Sequence, residues 1–376
     1  MNSVFDEIKK LRNNSTVNII EELSNRHTIV CQNSDRTKTA YCFSVPIRNV
    51  KTNNIVDLRF YHSRHASRFL GSNTEIIIDD RLKLTNQYGQ CNIFTPGVIS
   101  KRTENTIYLK KDNNCIDIHP TLNGLILIID YNFIATEPIL KLCFDHTFES
   151  IHANDKCFCV MLKEFVPFVS VSCIGVLNTS GQVIAPCEVQ HKKFSETEYA
   201  LAFSSVSKTK YRIAIEINMQ ENKLFQDTTV ESVHPQMNNA FGGISFLGKS
   251  ESFGEQWLYS RLELSNIPQL QGKRILKTFL HIPQLGYNTV PFTVNQISTR
   301  FCSFGSNWQN KITVSSPISE SFFSNGYHHL DMSNLLGNLT KKSENFVIRG
   351  KATSKPVIIP TGDNFYTPQI LEVNFQ

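Results

Sequence analysis

The chain has 376 residues, 40% of them hydrophobic, enough for a large core and for two or three domains rather than one. Charged residues make up only 19%, and the net charge of +5 comes from basic residues scattered in pairs such as Lys110-Lys111 and Lys192-Lys193. This excludes the concentrated basic patch of a nucleic-acid binder, and no apolar run of 18 residues is present to span a membrane as a helix.

The first element is helical. Val4, Phe5, Ile8 and Leu11 recur at helical spacing and predict a short amphipathic helix. Acidic residues come early and no apolar stretch follows, so the expectation is no secretory signal and synthesis in the cytoplasm. Period-2 and β-branched runs then take over: Ala40–Val45, Ile55–Tyr61, Glu75–Ile78, Asn105–Lys110, Leu125–Asp130 and Ile139–Phe144. A second set comprises Phe158–Leu162, Phe168–Leu177, Gln182–Ile184, Tyr199–Phe203 and Lys210–Asn218, with a hairpin expected around Ser180-Gly181. A third set starts near Phe225, broken early at Gly242-Gly243. One late helix is expected, capped by Asp331, with Leu335, Leu336 and Leu339 on one face.

Many short strands separated by Asn, Gly, Pro and Asp clusters predict an all-β, multi-domain β-sandwich. The expected divisions are an N-terminal helical segment 1–27, a β-rich domain 28–147, a small sandwich 148–220 and a C-terminal domain 221–376.

That last region carries a resemblance. Asp227-Thr228-Thr229-Val230 comes first, then Arg261-Leu262-Glu263-Leu264-Ser265-Asn266-Ile267-Pro268. Next come the run Ile275 to Ile282, Trp308 with Ile312-Thr313 and Pro317, Asp331-Met332-Ser333, and Pro368 to Val373. In this order, over about residues 225–376, they resemble the DNRLRE-type domain. The resemblance implies a C-terminal jelly roll similar to carbohydrate-binding modules. It makes the strand "QWLYSRLEL" central scaffold, with a structural arrangement of Arg261 and a carboxylate. By period-2 alternation, Ser260, Leu262 and Leu264 share one face, and Trp257, Tyr259, Arg261 and Glu263 the other.

Ten cysteines, nine of them before residue 190, match no disulfide scaffold. Reduced buried thiols, metal binding and crosslinks formed after assembly all remain open. Cys143, His146, Cys157 and Cys159, in a stretch that also holds Asp145 and His152, are candidate metal ligands, with soft and imidazole donors suited to zinc but a spacing that fits no zinc finger. His328-His329 next to Asp331 is the nearest approach to a triad, yet adjacent strand residues point to opposite faces. No Gly-x-Ser-x-Gly elbow occurs. Asp79-Asp80 reads as a solvated turn. Gly243 to Ser250 matches a phosphate-loop pattern formally but has no helix signal after it. Trp257, Tyr259, Trp308 and Tyr327 are the candidate ligand-binding aromatics.

The sequence therefore points to a non-enzymatic protein with no catalytic residues and no cofactor. Its expected role is structural or adhesive, assembling with copies of itself on a surface such as a spore layer, an appendage or a virion. The alternative is a carbohydrate-binding module protein that recognises a surface polysaccharide.

Overall fold

The computed structural model describes residues 3–130, 139–163, 166–205, 212–219, 223–250, 252–337, 343–351 and 355–376. The protein is an all-β, sandwich-like fold with one short N-terminal helix. Among the described residues the strands form four antiparallel sheets of six, nine, eight and seven strands. Leu339 of the late helix and Lys210 of one expected strand lie outside the described residues.

The chain divides into two compact units, residues 1–48 with 222–376, and residues 49–221. This differs from the expected segments. Strand Lys38–Phe43 pairs along its whole length with Ile370–Phe375, and Thr28–Gln32 pairs with Lys38–Phe43. Residues 28–48 therefore join the C-terminal unit, and 49–147 share a unit with 148–220. The reason is pairing: Lys38–Phe43, buried at five of its six residues, is completed by a partner strand some 330 residues away, which no local pattern encodes.

In the first unit, the six-stranded sheet runs Thr28–Gln32, Lys38–Phe43, Ile370–Phe375, Ile275–Pro283, Tyr327–Asp331, Phe322–Ser324. The seven-stranded sheet runs Pro317–Glu320, Phe292–Gln296, Ser343–Gly350, Gly254–Glu263, Ile244–Ser250, Val357–Pro360, with Phe225–Glu231 also paired to Gly254–Glu263. Ala40, Leu280, Ile282, Leu330, Leu371 and Val373 of one sheet meet Leu258, Leu262, Phe292, Val294, Phe346 and Ile348 of the other in a single core. Leu264 completes it from a 3-10 turn, Leu264–Asn266.

The helix Val4–Leu11 opens on a capping box: the Asp6 N–H donates to Ser3 Oγ at 3.2 Å, and the Ser3 N–H donates to Asp6 Oδ2 at 3.1 Å. Val4 and Ile8 are fully buried, while Phe5 and Leu11 are half-buried. The late helix is a single turn, Ser333–Leu336, whose first N–H donates to Asp331 Oδ1 at 2.9 Å.

In the second unit, the nine- and eight-stranded sheets face each other. Phe158 of strand Cys157–Lys163 packs on Tyr199 of strand Glu198–Ser204 with ring centroids 5.3 Å apart. Phe144 packs on Phe168 at 6.2 Å. The hairpin at Ser180-Gly181 forms, with Gly181 at φ 78° and the Asn178 N–H donating to the Gln182 carbonyl at 2.9 Å. The expected strand Ile55–Tyr61 does not form as one strand; Ile55 makes a single bridge and the named strand of this stretch is Tyr61–His62.

Candidate functional site

The four candidate aromatics do not make one site. Three of them meet on the face of the seven-stranded sheet that points away from the core. Period-2 alternation puts Trp257 and Tyr259 there, and the segment 297–316 folds over them with Phe301, Trp308 and Ile312. The Trp257 and Trp308 rings meet edge-on at 5.2 Å. Their faces are taken by cations: Arg349 stands 4.1 Å over Trp257, and Lys311 stands 3.8 Å over Trp308. Trp257 Nε1 donates to Glu255 at 2.7 Å, and Tyr259 Oη accepts from the Ile312 N–H at 3.1 Å. Burial pushes the Tyr259 hydroxyl up to about 12. The result is a second, smaller core bound by cations, in which Trp257 and Tyr259 are buried and Trp308 is half-buried. On the same strand Arg261 bonds Glu263 at 2.5 Å and also reaches Gln226.

The candidate metal ligands are separated. Cys143 lies in the eight-stranded sheet and donates to Glu198 at 3.7 Å; His146 bonds Asp145 at 2.7 Å. Cys157 and Cys159 are buried in the nine-stranded sheet, where Cys159 Sγ contacts Met161 Sδ at 3.7 Å. Among the described residues no group of three or more His, Cys, Asp or Glu is arranged to hold a metal ion.

All ten cysteines are thiols, and only Cys302 is exposed. Of the nine early ones, Cys115 and Cys143 are half-buried and seven are buried. Burial pushes Cys31 up to about 11 and Cys42 to about 12, which leaves little thiolate at neutral pH. Of the readings left open for the early cysteines, this geometry matches buried, reduced thiols. Gly243 to Ser250 is a bridge into strand Ile244–Ser250, not a phosphate loop.

Asp227, the first residue of the motif that carries the DNRLRE resemblance, is a buried acid. It accepts the Gly362 N–H, beside Asp363, which is paired with Lys223. Burial, then repulsion from Asp363, pushes the Asp227 carboxyl well above its ordinary range. Lys223 also stands 5.5 Å over Phe241, which has a left-handed backbone at φ 65°.

Tyr327 lies on the other sheet, beside a polar chain that sequence reasoning missed. On the outward face of the six-stranded sheet, Ile275–Pro283 brings His281, Tyr327–Asp331 brings His329, and Ile370–Phe375 brings Glu372. Register sets the first two directly opposite, His281 to His329, in adjacent strands. An Asn325-Gly326 turn, with φ 50° and 83°, closes the hairpin that returns Ser324 opposite Tyr327. His281 Nε2 is 3.1 Å from Glu372 Oε2, His281 Nδ1 is 2.7 Å from His329 Nδ1, and His329 Nε2 is 2.8 Å from Ser324 Oγ. Both imidazoles are buried, and Phe322 stacks on His329 at 4.9 Å. His328 points the other way, into the core against Phe292, as alternation requires.

The N-terminal helix lies over this face. Tyr327 Oη donates to Glu7, and Arg12 Nη1 donates to Asn33 at 3.1 Å. A cavity of about 320 Å³ opens beside it, lined by Glu7, Lys10, Gln284, Asn325, Tyr327 and Thr367 among others. Burial, then the Glu7 carboxylate, raises the Tyr327 hydroxyl far above its ordinary value.

The fold and these two outward faces define an all-β sandwich protein. No family model matches the chain, and no curated protein matches it. Among solved structures, the chain is similar to an exo-β-1,3-galactanase of Phanerochaete chrysosporium crystallised with galactose. That match has 8% identity, 93% of this chain and 82% of the other covered, and a TM-score of 0.15. A point variant of the same enzyme with β-1,3-galactotriose gives 8% identity, 89% and 82% coverage, and a TM-score of 0.14. Superpositions this loose carry no argument about function.

Proposed function

We propose that this chain is a structural or adhesive protein that associates with copies of itself, of the kind deployed in spore layers, appendages or virion surfaces. Its unit containing residues 222–376 is read as a DNRLRE-type domain. The observation that carries this reading is an unguarded sheet edge. Strand Phe322–Ser324 ends the six-stranded sheet, carries no charge, and exposes Phe322 by 54% and Phe323 by 38%. Natural sheets usually blunt such edges with charge. Two other edge strands of this protein are blunted in that way: Glu188–Lys193 bears Glu188, Lys192 and Lys193, and Val98–Arg102 bears Lys101 and Arg102. An open edge with apolar side chains favours strand addition by another chain, and low charge density leaves little long-range repulsion between copies.

The test is sedimentation velocity across a concentration series, with and without reductant. The expected result is concentration-dependent association that Phe323→Lys suppresses while the far-ultraviolet spectrum stays unchanged. A full-length protein that remains monomeric at high concentration, yet is retained on immobilised polysaccharide, would replace this reading with the carbohydrate-binding one.

A further inference from the structure

We propose that Ser324 is an activated nucleophile, primed by the chain Glu372–His281–His329 for acyl transfer from small carboxylic esters. This goes beyond the association reading and departs from the expectation of a non-enzymatic protein.

The direction of the hydrogen bonds follows from one end. An ionised carboxylate only accepts, and Glu372 already accepts from Asn374 Nδ2 at 3.2 Å. The bond at 3.1 Å therefore places a proton on His281 Nε2. In the tautomer assigned here, His281 Nδ1 carries a lone pair, and the proton of the 2.7 Å contact sits on His329 Nδ1. That leaves the lone pair of His329 Nε2 facing the Ser324 hydroxyl at 2.8 Å. In this arrangement each ring nitrogen of the two histidines has a polar partner within hydrogen-bonding distance. Burial, then the neighbouring His281, lowers the affinity of His329 for a proton, so it is free to act as a base at neutral pH.

Nucleophile, base and orienting groups at hydrogen-bonding distance are the geometric signature of covalent catalysis. In the step assigned here, Ser324 Oγ bonds the acyl carbon and its proton passes to His329 Nε2. The Ser324 carbonyl oxygen, 3.2 Å from that nitrogen, can accept from it once it is protonated. The ester C–O bond breaks, and the leaving alcohol takes the proton from His329. Water, deprotonated by His329, then releases the carboxylic acid and regenerates the hydroxyl. Ser324 and His329 are the catalytic residues; His281 and Glu372 are positioning residues. The adjacent cavity, lined by Asn325 next to Ser324 in the chain and by Tyr327, its cross-strand neighbour, but not by Ser324 itself, is about 320 Å³, at the small end of ligand pockets, and the small esters proposed are matched to that volume.

The experiment treats full-length protein with an alkyl fluorophosphonate. Ser324 Oγ would bond phosphorus, fluoride would leave, and the hydroxyl proton would pass to His329. The expected result is one adduct, mapped by mass spectrometry to Ser324 and absent from Ser324→Ala. Labelling should slow roughly 100-fold or more in His329→Gln, the scale of general-base assistance. Glu372→Gln should move the pH profile of labelling, which a packing role would not. If His329→Gln fails to fold, Ser324→Cys replaces it: a thiol in the same chain should react with iodoacetamide faster than the exposed Cys302. No adduct at Ser324, equal labelling in folded His329→Gln, or a Cys at position 324 no faster than Cys302 would overturn the proposal. Sedimentation of Ser324→Ala should match the unsubstituted protein, so failure of this site and failure of the association reading are separable.

Discussion

The two outward faces of the first unit solve one problem in opposite ways. On the seven-stranded sheet, the segment 297–316 covers Trp257 and Tyr259 with apolar groups and two cations, and the face becomes a small core. On the six-stranded sheet, a helix covers a face that holds two imidazoles, a glutamate and a serine in one hydrogen-bonded chain. A sheet face turned from the main core is thus not a solvent face. The tryptophans sit in a packed aromatic cluster; the histidines form a hydrogen-bonded chain that reaches a half-buried serine.

The comparison can be broken most severely by removing the N-terminal strands. Residues 221–376 expressed alone lack Thr28–Gln32 and Lys38–Phe43, so Ile370–Phe375 would lose a full-length partner and the core would lose Val30, Ala40 and Cys42. The fragment is expected to be unfolded or aggregated, with dispersed amide resonances only when residues 1–48 are supplied. A well-folded 221–376 would show the two faces to be independent of that edge.

Next in size, Trp257→Ala should cost about 3–5 kcal/mol in chemical denaturation, the usual cost of emptying a buried aromatic site. A loss under about 1 kcal/mol would return Trp257 to the surface-platform class.

Acid sharpens the contrast from the histidine side. Burial holds His27 and His328 down at about 4. Their folded values lie below the unfolded value near 6.5, so the unfolded chain binds more protons in between. Their neutral forms favour folding fully above about pH 6.5, and this advantage is lost as pH falls through 6.5 towards 4. Each should contribute a loss of about 3 kcal/mol, because every tenfold difference in proton affinity between the folded and unfolded chain is worth about 1.4 kcal/mol. His328→Leu should remove one share of that acid loss, because its ring has no hydrogen-bond partner in the core among the described residues. Denaturant midpoints at pH 7 and pH 4.5 measure it.

The smallest effect belongs to the cations. Lys311→Met keeps the stem and removes the charge over Trp308, and should cost about 0.5–1 kcal/mol, the value of a cation–π contact at a half-exposed site. Salt titration of the melting temperature should flatten in the variant.

Local alternation was readable wherever both neighbours of a residue lie in one strand. Leu258 and Leu262 go to the core while Trp257 and Tyr259 go to the far face, because side chains alternate with a fixed period of two. The helix Val4–Leu11 was readable for the same kind of reason, a spacing of three and four between its apolar residues. The strand Ile55–Tyr61 was overread, because β-branched composition measures fitness for a pleated surface and does not supply a partner strand.

What the sequence alone determined was therefore the vocabulary: strands, their two faces, the helix, the tight turn at Ser180-Gly181. Tertiary structure alone decided the pairing. His281 lies 48 residues from His329 and 91 from Glu372, and they meet because Ile275–Pro283 is hydrogen-bonded between Tyr327–Asp331 and Ile370–Phe375 in one register. A shift of one residue would send all three side chains to the opposite face. Strand order and register are set by burial summed over the whole sandwich, which local spacing does not contain.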